Sequence, residues 1–175
     1  PVVEDASRRA LEQGITLHWI MDGLLERAGR FKAGLVLMGY LNPFLQYGLE
    51  RFAADAAACG VSGCIVPDLP LDESGPMRAT LKAHGMDLIA LVGQNTTLER
   101  MKEYAAVSDG YVYVVSVLGT TGARTGLPPQ VEDTLRRAKE AFSLPLALGF
   151  GLQRPEQLEA PPTSGPTPPS SGVPC

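Results

Sequence analysis

The 175-residue sequence lacks features that several classes of protein require. It has no basic excess, because 15 Lys and Arg are outweighed by 19 Asp and Glu and the net charge is −4. A nucleic-acid surface needs the opposite balance. No run of about 18 apolar residues predicts a membrane span, and no secretory signal pattern opens the chain. We therefore expect a cytoplasmic protein with no nucleic-acid and no membrane partner.

Cysteine and histidine are also scarce. The three cysteines and two histidines show no metal-ligand spacing and no Cys-x-x-Cys pair, so no metal site and no redox site is predicted. Cys59 and Cys64 lie in apolar stretches and are interpreted as buried side chains of a reducing compartment. His18 and His84 fall on predicted helices and are interpreted as surface or hydrogen-bonded structural residues.

Apolar residues make up 45% of the chain and alternate between strand-like and helix-like patterns. Short continuous apolar runs, typical of parallel strands covered on both faces, predict strands over residues 35–38, 61–66, 88–92, 111–115 and 146–148. Helical spacing, caps and glycine stops predict helices over 5–13, 17–28, 44–59, from 72 or 74 to 84, from 96 or 97 to 107, and over 130–142.

About five strands with helices between them predict an α/β fold with a parallel sheet. Polar and glycine-rich segments follow the strands, at the end where a barrel carries its site. No Gly-x-Gly-x-x-Gly follows the first predicted strand, which disfavours a doubly wound sheet. We predict an incomplete (β/α)8 TIM barrel, with roughly five of eight strands, over residues 1–160.

The last 15 residues, 161–175, contain six prolines and no periodic pattern. A segment of this composition cannot bury enough surface to offset its ordering entropy, which predicts a disordered tail. A second interpretation is that the chain is frameshifted after Ala160. An alternative reading frame of the same stretch permits an apolar strand followed by a Gly-Ser turn.

Four segments together resemble the tryptophan synthase alpha chain family. They are 37–43 (LMGYLNP), 66–70 (VPDLP), 116–124 (SVLGTTGAR) and 149–151 (GFG). The resemblance covers roughly residues 1–160, about six-tenths of a full alpha chain. It implies a lyase of tryptophan biosynthesis that cleaves indole-3-glycerol phosphate into indole and glyceraldehyde 3-phosphate. It also implies an α2β2 heterotetramer with a beta chain. No cofactor is expected here, since pyridoxal phosphate belongs to the beta partner.

The resemblance also implies roles for individual residues. Thr121 resembles the loop threonine that closes over the site and supports the catalytic Asp. The substrate-binding residues implied are Leu37, Ile65, Tyr113 and Phe150 around the indole, and Gly122 and Gly151 at the phosphate. The partner-facing residues implied are Asn42, Pro43, Asp68 and Pro70. For Leu37 and Ile65 a barrel-core role stays open, and for Asp68 a turn or cap role stays open.

The catalytic Glu and Asp of the family are expected upstream of Pro1, so no catalytic acid or base is predicted in residues 1–175. Glu4 and Asp5 are interpreted as acids that favour the first turn of a helix. The pairs 8–9 and 136–137, all arginine, are interpreted as solvated helix faces.

Two other functions stay open at this point. The chain could be a non-catalytic remnant that binds the partner. It could also be another phosphate-binding barrel enzyme, although an epimerase of that kind would need metal-binding histidines that the sequence does not offer.

Overall fold

The computed structural model describes residues 2–115 and 128–149. The strands in these ranges are β1 (Leu35–Met38), β2 (Val61–Ile65), β3 (Asp87–Leu88), β4 (Ala90–Val92), β5 (Val112–Val115) and β6 (Leu146–Gly149). The helices are α1 (Val2–Glu12), α2 (Leu17–Leu25), α3 (Leu41–Tyr47), α4 (Leu49–Ala58), α5 (Gly75–Ala83), α6 (Leu98–Ala105) and α7 (Pro129–Ala141). A short 3-10 helix (Leu71–Glu73) precedes α5.

The described strands pair in parallel and in chain order. One sheet has the order β1-β2-β3 and the other has the order β4-β5-β6. A doubly wound sheet would reverse its strand order at a switch point, whereas sequential parallel strands separated by helices build a (β/α)8 barrel. The described residues therefore form part of a barrel, as the sequence predicts.

The strand predicted over residues 88–92 is divided in the structure. Asp87–Leu88 pairs with β2, and Ala90–Val92 pairs with β5. Between the two, the N–H of Ile89 donates to the carbonyl of Cys64 at 2.8 Å. The pairing with β2 stops here because β2 ends at Ile65 and Pro67, which has no N–H to offer, follows shortly after.

The helix predicted over residues 44–59 is also divided. Gly48 lies between α3 and α4 with φ of 89°, a left-handed conformation that no helix interior can contain. The first of these helices begins at Leu41 rather than at Phe44, so Pro43 falls within its first turn. Proline is tolerated there because the first N–H groups of a helix have no intrahelical acceptor.

Helix starts follow side-chain capping where the sequence offers a threonine. Thr16 accepts a hydrogen bond from the N–H of Trp19 at 3.2 Å, and Thr97 accepts one from the N–H of Arg100 at 3.2 Å. Neither Asp72 nor Ser74 caps α5 with its side chain. Within the two described ranges, no helix is both long and apolar enough to cross a membrane.

Two apolar clusters fill the space between the sheets and the helices. The first includes Phe52 and Leu81 and packs α2 to α5 against β1 to β3. The second includes Met101 and Val112 and packs α6 and α7 against β4 to β6. Full burial of a side chain such as Phe52 contributes about 1.5–3 kcal/mol of transfer free energy. The side chains that alternate with these cluster members face the other way, and we call that side the inner face.

Candidate active site

The inner face carries apolar side chains from three strands, β2 in the first sheet and β4 and β5 in the second. Ile65 is 4% exposed and belongs to neither outer cluster, while its neighbour Cys64 does. Leu91 stands in register with Tyr113, and both alternate with residues of the second cluster. The structure therefore brings Ile65 and Tyr113, two of the predicted indole-wall residues, to the same face. It adds Leu91, which the alternation within 90–92 could have indicated.

Leu37 lies elsewhere. It packs against the first outer cluster, as Leu35 does, on the side of β1 that faces the helices. Its register partner, Cys64, belongs to the same cluster. These contacts fit the barrel-core interpretation of Leu37, and its assignment to the indole wall stays a prediction.

The ring of Tyr113 lies against the backbone of Gly149 on the adjacent strand. A Cβ atom built on Gly149 would overlap the phenol ring and its hydroxyl oxygen. Val115 pairs with Gly149, and Tyr113 pairs with Ala147, so the ring leans along the strand direction toward the carboxyl end of β6. The absence of a side chain at the first glycine of the Gly-Phe-Gly segment thus makes room for Tyr113.

The loops after β1 and β2 are tied together at the same edge of the sheet. The N–H of Gly39 donates to the carbonyl of Ile65 at 3.1 Å. Asp68 accepts a hydrogen bond from the N–H of Leu41, the first residue of α3, at 2.9 Å. A carboxylate at a helix N-terminus is stabilised by the unpaired N–H groups there. The structure thus gives Asp68 a capping role at the N-terminus of α3, which precedes it in the chain.

The other residues predicted to face a partner surround this contact. Asn42 and Pro43 are exposed in the first turn of α3, and Pro70 is exposed just before the 3-10 helix. Two large apolar side chains beside them are also exposed, Met38 by 54% and Tyr40 by 68%. The role of these residues in binding a partner stays a prediction.

A second connection joins the loop after β2 to α6. Arg100 contacts Asp72 with both terminal nitrogens, the shorter bond being 2.7 Å, and it also pairs with Glu103. The hydrogen bond from Arg100 lowers the pKa of Asp72. Asp72 is well exposed, so this ion pair contributes little to stability.

The loop after β4 is held by Arg137 from α7. Its guanidinium donates to the carbonyl of Gln94 at 3.0 Å and to the carbonyl of Thr96, and it pairs with Asp133 at 2.9 Å. The side chain of Arg137 is only 19% exposed, whereas that of Arg136 is 69% exposed. The prediction of a solvated face is therefore wrong for Arg137. Adjacent arginines look alike in the sequence, and only tertiary contact distinguishes them.

Three of the titratable residues singled out in the sequence also have structural partners. Asp5 pairs with Arg8 and Arg9 within α1, so it acts as a first-turn helix acid there, as predicted. The ring of His18 stacks on Tyr47 at 4.1 Å, and His84 lies 3.5 Å from Glu50.

Cys59 and Cys64 are free and buried, as predicted. Burial raises the pKa of the Cys64 thiol to about 12. In the described ranges no group of three or more His, Cys, Asp or Glu residues is placed to hold a metal ion.

Several predicted residues lie outside the described ranges. They are Thr121, Gly122, Phe150 and Gly151, together with the tail 161–175. Their assignments stay predictions.

A family model described as tryptophan synthase alpha chain matches residues 1–164. The chain belongs to the tryptophan synthase alpha chain family. The alpha chain of Nitratidesulfovibrio vulgaris is 69% identical over 159 residues, which are 91% of this chain and 62% of that relative. The alpha chain of Desulfovibrio desulfuricans is 62% identical over 167 residues, covering 95% of this chain and 66% of that one.

Solved structures of tryptophan synthase support the same fold. The chain is similar to the a2b2 complex from Pyrococcus furiosus with a TM-score of 0.78 and 35% identity, over 86% of this chain and 60% of that one. A variant alpha subunit from the same organism gives a TM-score of 0.80 at 33% identity, over 89% and 62% of the two chains. The chain thus spans about three-fifths of the length of these tryptophan synthase relatives, 62% for the N. vulgaris alpha chain.

Proposed function

We propose that this chain is part of a tryptophan synthase alpha subunit, a lyase that cleaves indole-3-glycerol phosphate into indole and glyceraldehyde 3-phosphate. The observation that carries the proposal is the identity of 69% to a tryptophan synthase alpha chain across 91% of this chain. The apolar inner face formed by Ile65, Leu91 and Tyr113 suits a flat aromatic ligand such as indole.

The reaction requires two proton transfers, one from an acid and one to a base. An acid protonates the indole ring carbon, so that the bond to the glycerol phosphate chain can break with its electron pair left on the ring. A base removes the proton of the adjacent hydroxyl, and the aldehyde forms as the bond breaks. Each such group contributes typically about 10²–10⁴-fold to the rate. We propose that both carboxylates precede Pro1 in the whole protein, so residues 1–175 alone do not catalyse cleavage.

The partner proposed is a tryptophan synthase beta chain in an α2β2 assembly. Similarity to the P. furiosus structure supports this partner, since that structure is of an a2b2 complex. The exposed rim of Asn42, Pro43, Asp68 and Pro70 would face it. The alpha subunit itself would need no cofactor and would work in the cytoplasm, while pyridoxal phosphate would remain with the beta chain.

The test is an assay of the whole protein that contains this chain. We expect it to release indole from indole-3-glycerol phosphate, and to do so faster when the beta chain is added. A polypeptide of residues 1–175 is the matched comparison and should release none. Absence of indole release by the whole protein with its beta chain would contradict the proposed function. Release by residues 1–175 alone would contradict the upstream position of the acid and base.

A further inference from the structure

We propose that Arg137 is a positioning residue that holds the loop after β4, residues 93–97, in the shape the substrate site requires. The proposal rests on the proposed function for its substrate, but its physical basis is a set of contacts in the described ranges. Arg137 stands on α7 in the outer helix layer, so it does not touch a substrate on the inner face.

The guanidinium of Arg137 uses all three of its nitrogens. Nε donates to Asp133 at 2.9 Å, Nη1 donates to the carbonyl of Thr96, and Nη2 donates to the carbonyl of Gln94 at 3.0 Å. Nη2 also lies 3.4 Å from the hydroxyl oxygen of Thr134, which is fully buried. A rigid planar fork can reach two carbonyls and a carboxylate at once, which a single ammonium group cannot.

The loop that Arg137 contacts is a turn closed by its own hydrogen bonds. The N–H of Gly93 donates to the hydroxyl of Thr96 at 3.0 Å, and the N–H of Thr96 donates to the carbonyl of Gly93 at 3.0 Å. The next residue, Thr97, caps α6. Arg137 therefore fixes a tight turn between the end of β4 and the start of α6 from a third element, α7.

This turn directly follows a strand that contributes a side chain to the inner face. It follows β4, whose Leu91 stands beside Tyr113, and it lies at the carboxyl edge where barrels carry their sites. The other ties along this edge, Asp68 to Leu41 and Asp72 to Arg100, involve well exposed carboxylates. Arg137 is the more deeply buried contact, and hydrogen bonds of a partly buried charged group are the stronger class.

The experiment compares three variants of the whole protein assembled with its beta chain. Arg137→Gln removes the charge and the fork. Arg137→Lys keeps the charge and can keep the pair with Asp133, but it cannot reach both carbonyls. Arg136→Gln is the matched control, because Arg136 is the adjacent residue, pairs with the same Asp133 and is exposed.

We expect Arg137→Gln to raise KM for indole-3-glycerol phosphate about tenfold with kcat within about threefold, because a misplaced rim weakens binding before and during the reaction alike. Arg137→Lys should raise KM by several-fold and Arg136→Gln should leave it unchanged. A merely structural role would reduce the fraction of folded enzyme, which lowers the maximal rate and leaves KM unchanged. An unchanged KM in Arg137→Gln and in Arg137→Lys overturns the proposal.

Amide hydrogen exchange separates this proposal from the proposed function. If Arg137 holds the loop, the amides of Gly93 and Thr96 exchange faster in Arg137→Gln than in Arg136→Gln, whether or not the protein cleaves the substrate. Equal exchange rates in the two variants would overturn the claim that Arg137 holds this loop. Inactivity of the wild-type protein, with faster exchange in Arg137→Gln, would contradict the substrate while leaving the loop contact established.

Discussion

The phenol ring of Tyr113 occupies the space that a side chain on Gly149 would need. Only the missing Cβ of Gly149 allows β5 and β6 to pair while the ring lies across the end of β6. The tyrosine and the glycine are therefore one packing unit, although 35 residues separate them along the chain.

A substitution at Gly149 tests this unit. We expect Gly149→Ala to lower the free energy of unfolding by about 1–3 kcal/mol, the usual cost of an overpacked contact, because the ring or the strand must move. Urea unfolding of the whole protein measures it. Gly75→Ala is the control, since no atom lies within 4 Å of a Cβ built there, and it should stay within about 0.5 kcal/mol of the wild type. Equal losses in the two variants would contradict the contact.

The bond between Asp68 and Leu41 predicts a second result. Asp68→Ala removes the acceptor for the N–H of Leu41, so that amide should exchange faster with solvent and the free energy of unfolding should fall by about 1 kcal/mol. Asp68→Asn keeps a side-chain oxygen and should retain most of the protection. Asp72→Ala removes the neighbouring carboxylate that pairs with Arg100 instead, and it should leave the exchange of Leu41 unchanged. If the amide of Leu41 stays protected from exchange in Asp68→Ala, that amide has another acceptor and the capping role of Asp68 is contradicted.

The strand and helix boundaries show which features of this fold the sequence pattern contains. The continuous apolar run at 35–38 predicts β1 with its observed bounds, since a strand covered on both faces has no other signature. The helical pattern over 44–59 predicts one helix that includes Gly48, whereas the structure has two. The φ of 89° at Gly48 is a property of the packing of α3 against α4 and not of the residue type alone.

The candidate site also contains residues that the sequence could indicate and one that it could not. The family resemblance predicts Ile65 and Tyr113 as indole-wall residues; the structure places both on the inner face, and their contact with indole stays a prediction. Alternation along 90–92 could have added Leu91. Arg137 could not be found, because its function depends on two carbonyls 41 and 43 residues away in the chain. The division of residues 88–92 between two sheets could not be predicted from the sequence either, since it depends on where β2 ends.

Thr121 gives a prediction about turnover. If Thr121 supports the catalytic carboxylate as the family resemblance implies, Thr121→Val in the whole protein should lower the rate of indole release at least about tenfold, because the hydroxyl that orients the carboxylate is lost. The adjacent Thr120→Val is the matched control and should change the rate by less than about threefold. Equal rates for wild type and Thr121→Val would return Thr121 to the role of an ordinary loop residue.

The contact between Tyr47 and Asp55 makes stability depend on alkaline pH. The hydroxyl of Tyr47 donates to Asp55 at 2.7 Å, and Tyr47 is 7% exposed. Burial first, and the bond to Asp55 second, raise the pKa of Tyr47 to about 12 from 10.0. Between these two values the folded state holds a proton that the unfolded state has lost, so stability falls as pH rises through this window. Below about pH 10 the contribution is complete.

Tyr47→Phe should remove that part of the pH dependence. At neutral pH the variant loses the hydrogen bond, at a cost of about 1 kcal/mol. As the pH rises from about 10 to about 12 the wild type loses its advantage, so the free energies of unfolding of the two proteins converge. Tyr40→Phe, at a ring that is 68% exposed, is the control and should follow the wild-type curve. Urea unfolding across this pH range measures all three, and a constant difference between wild type and Tyr47→Phe would contradict the proton linkage.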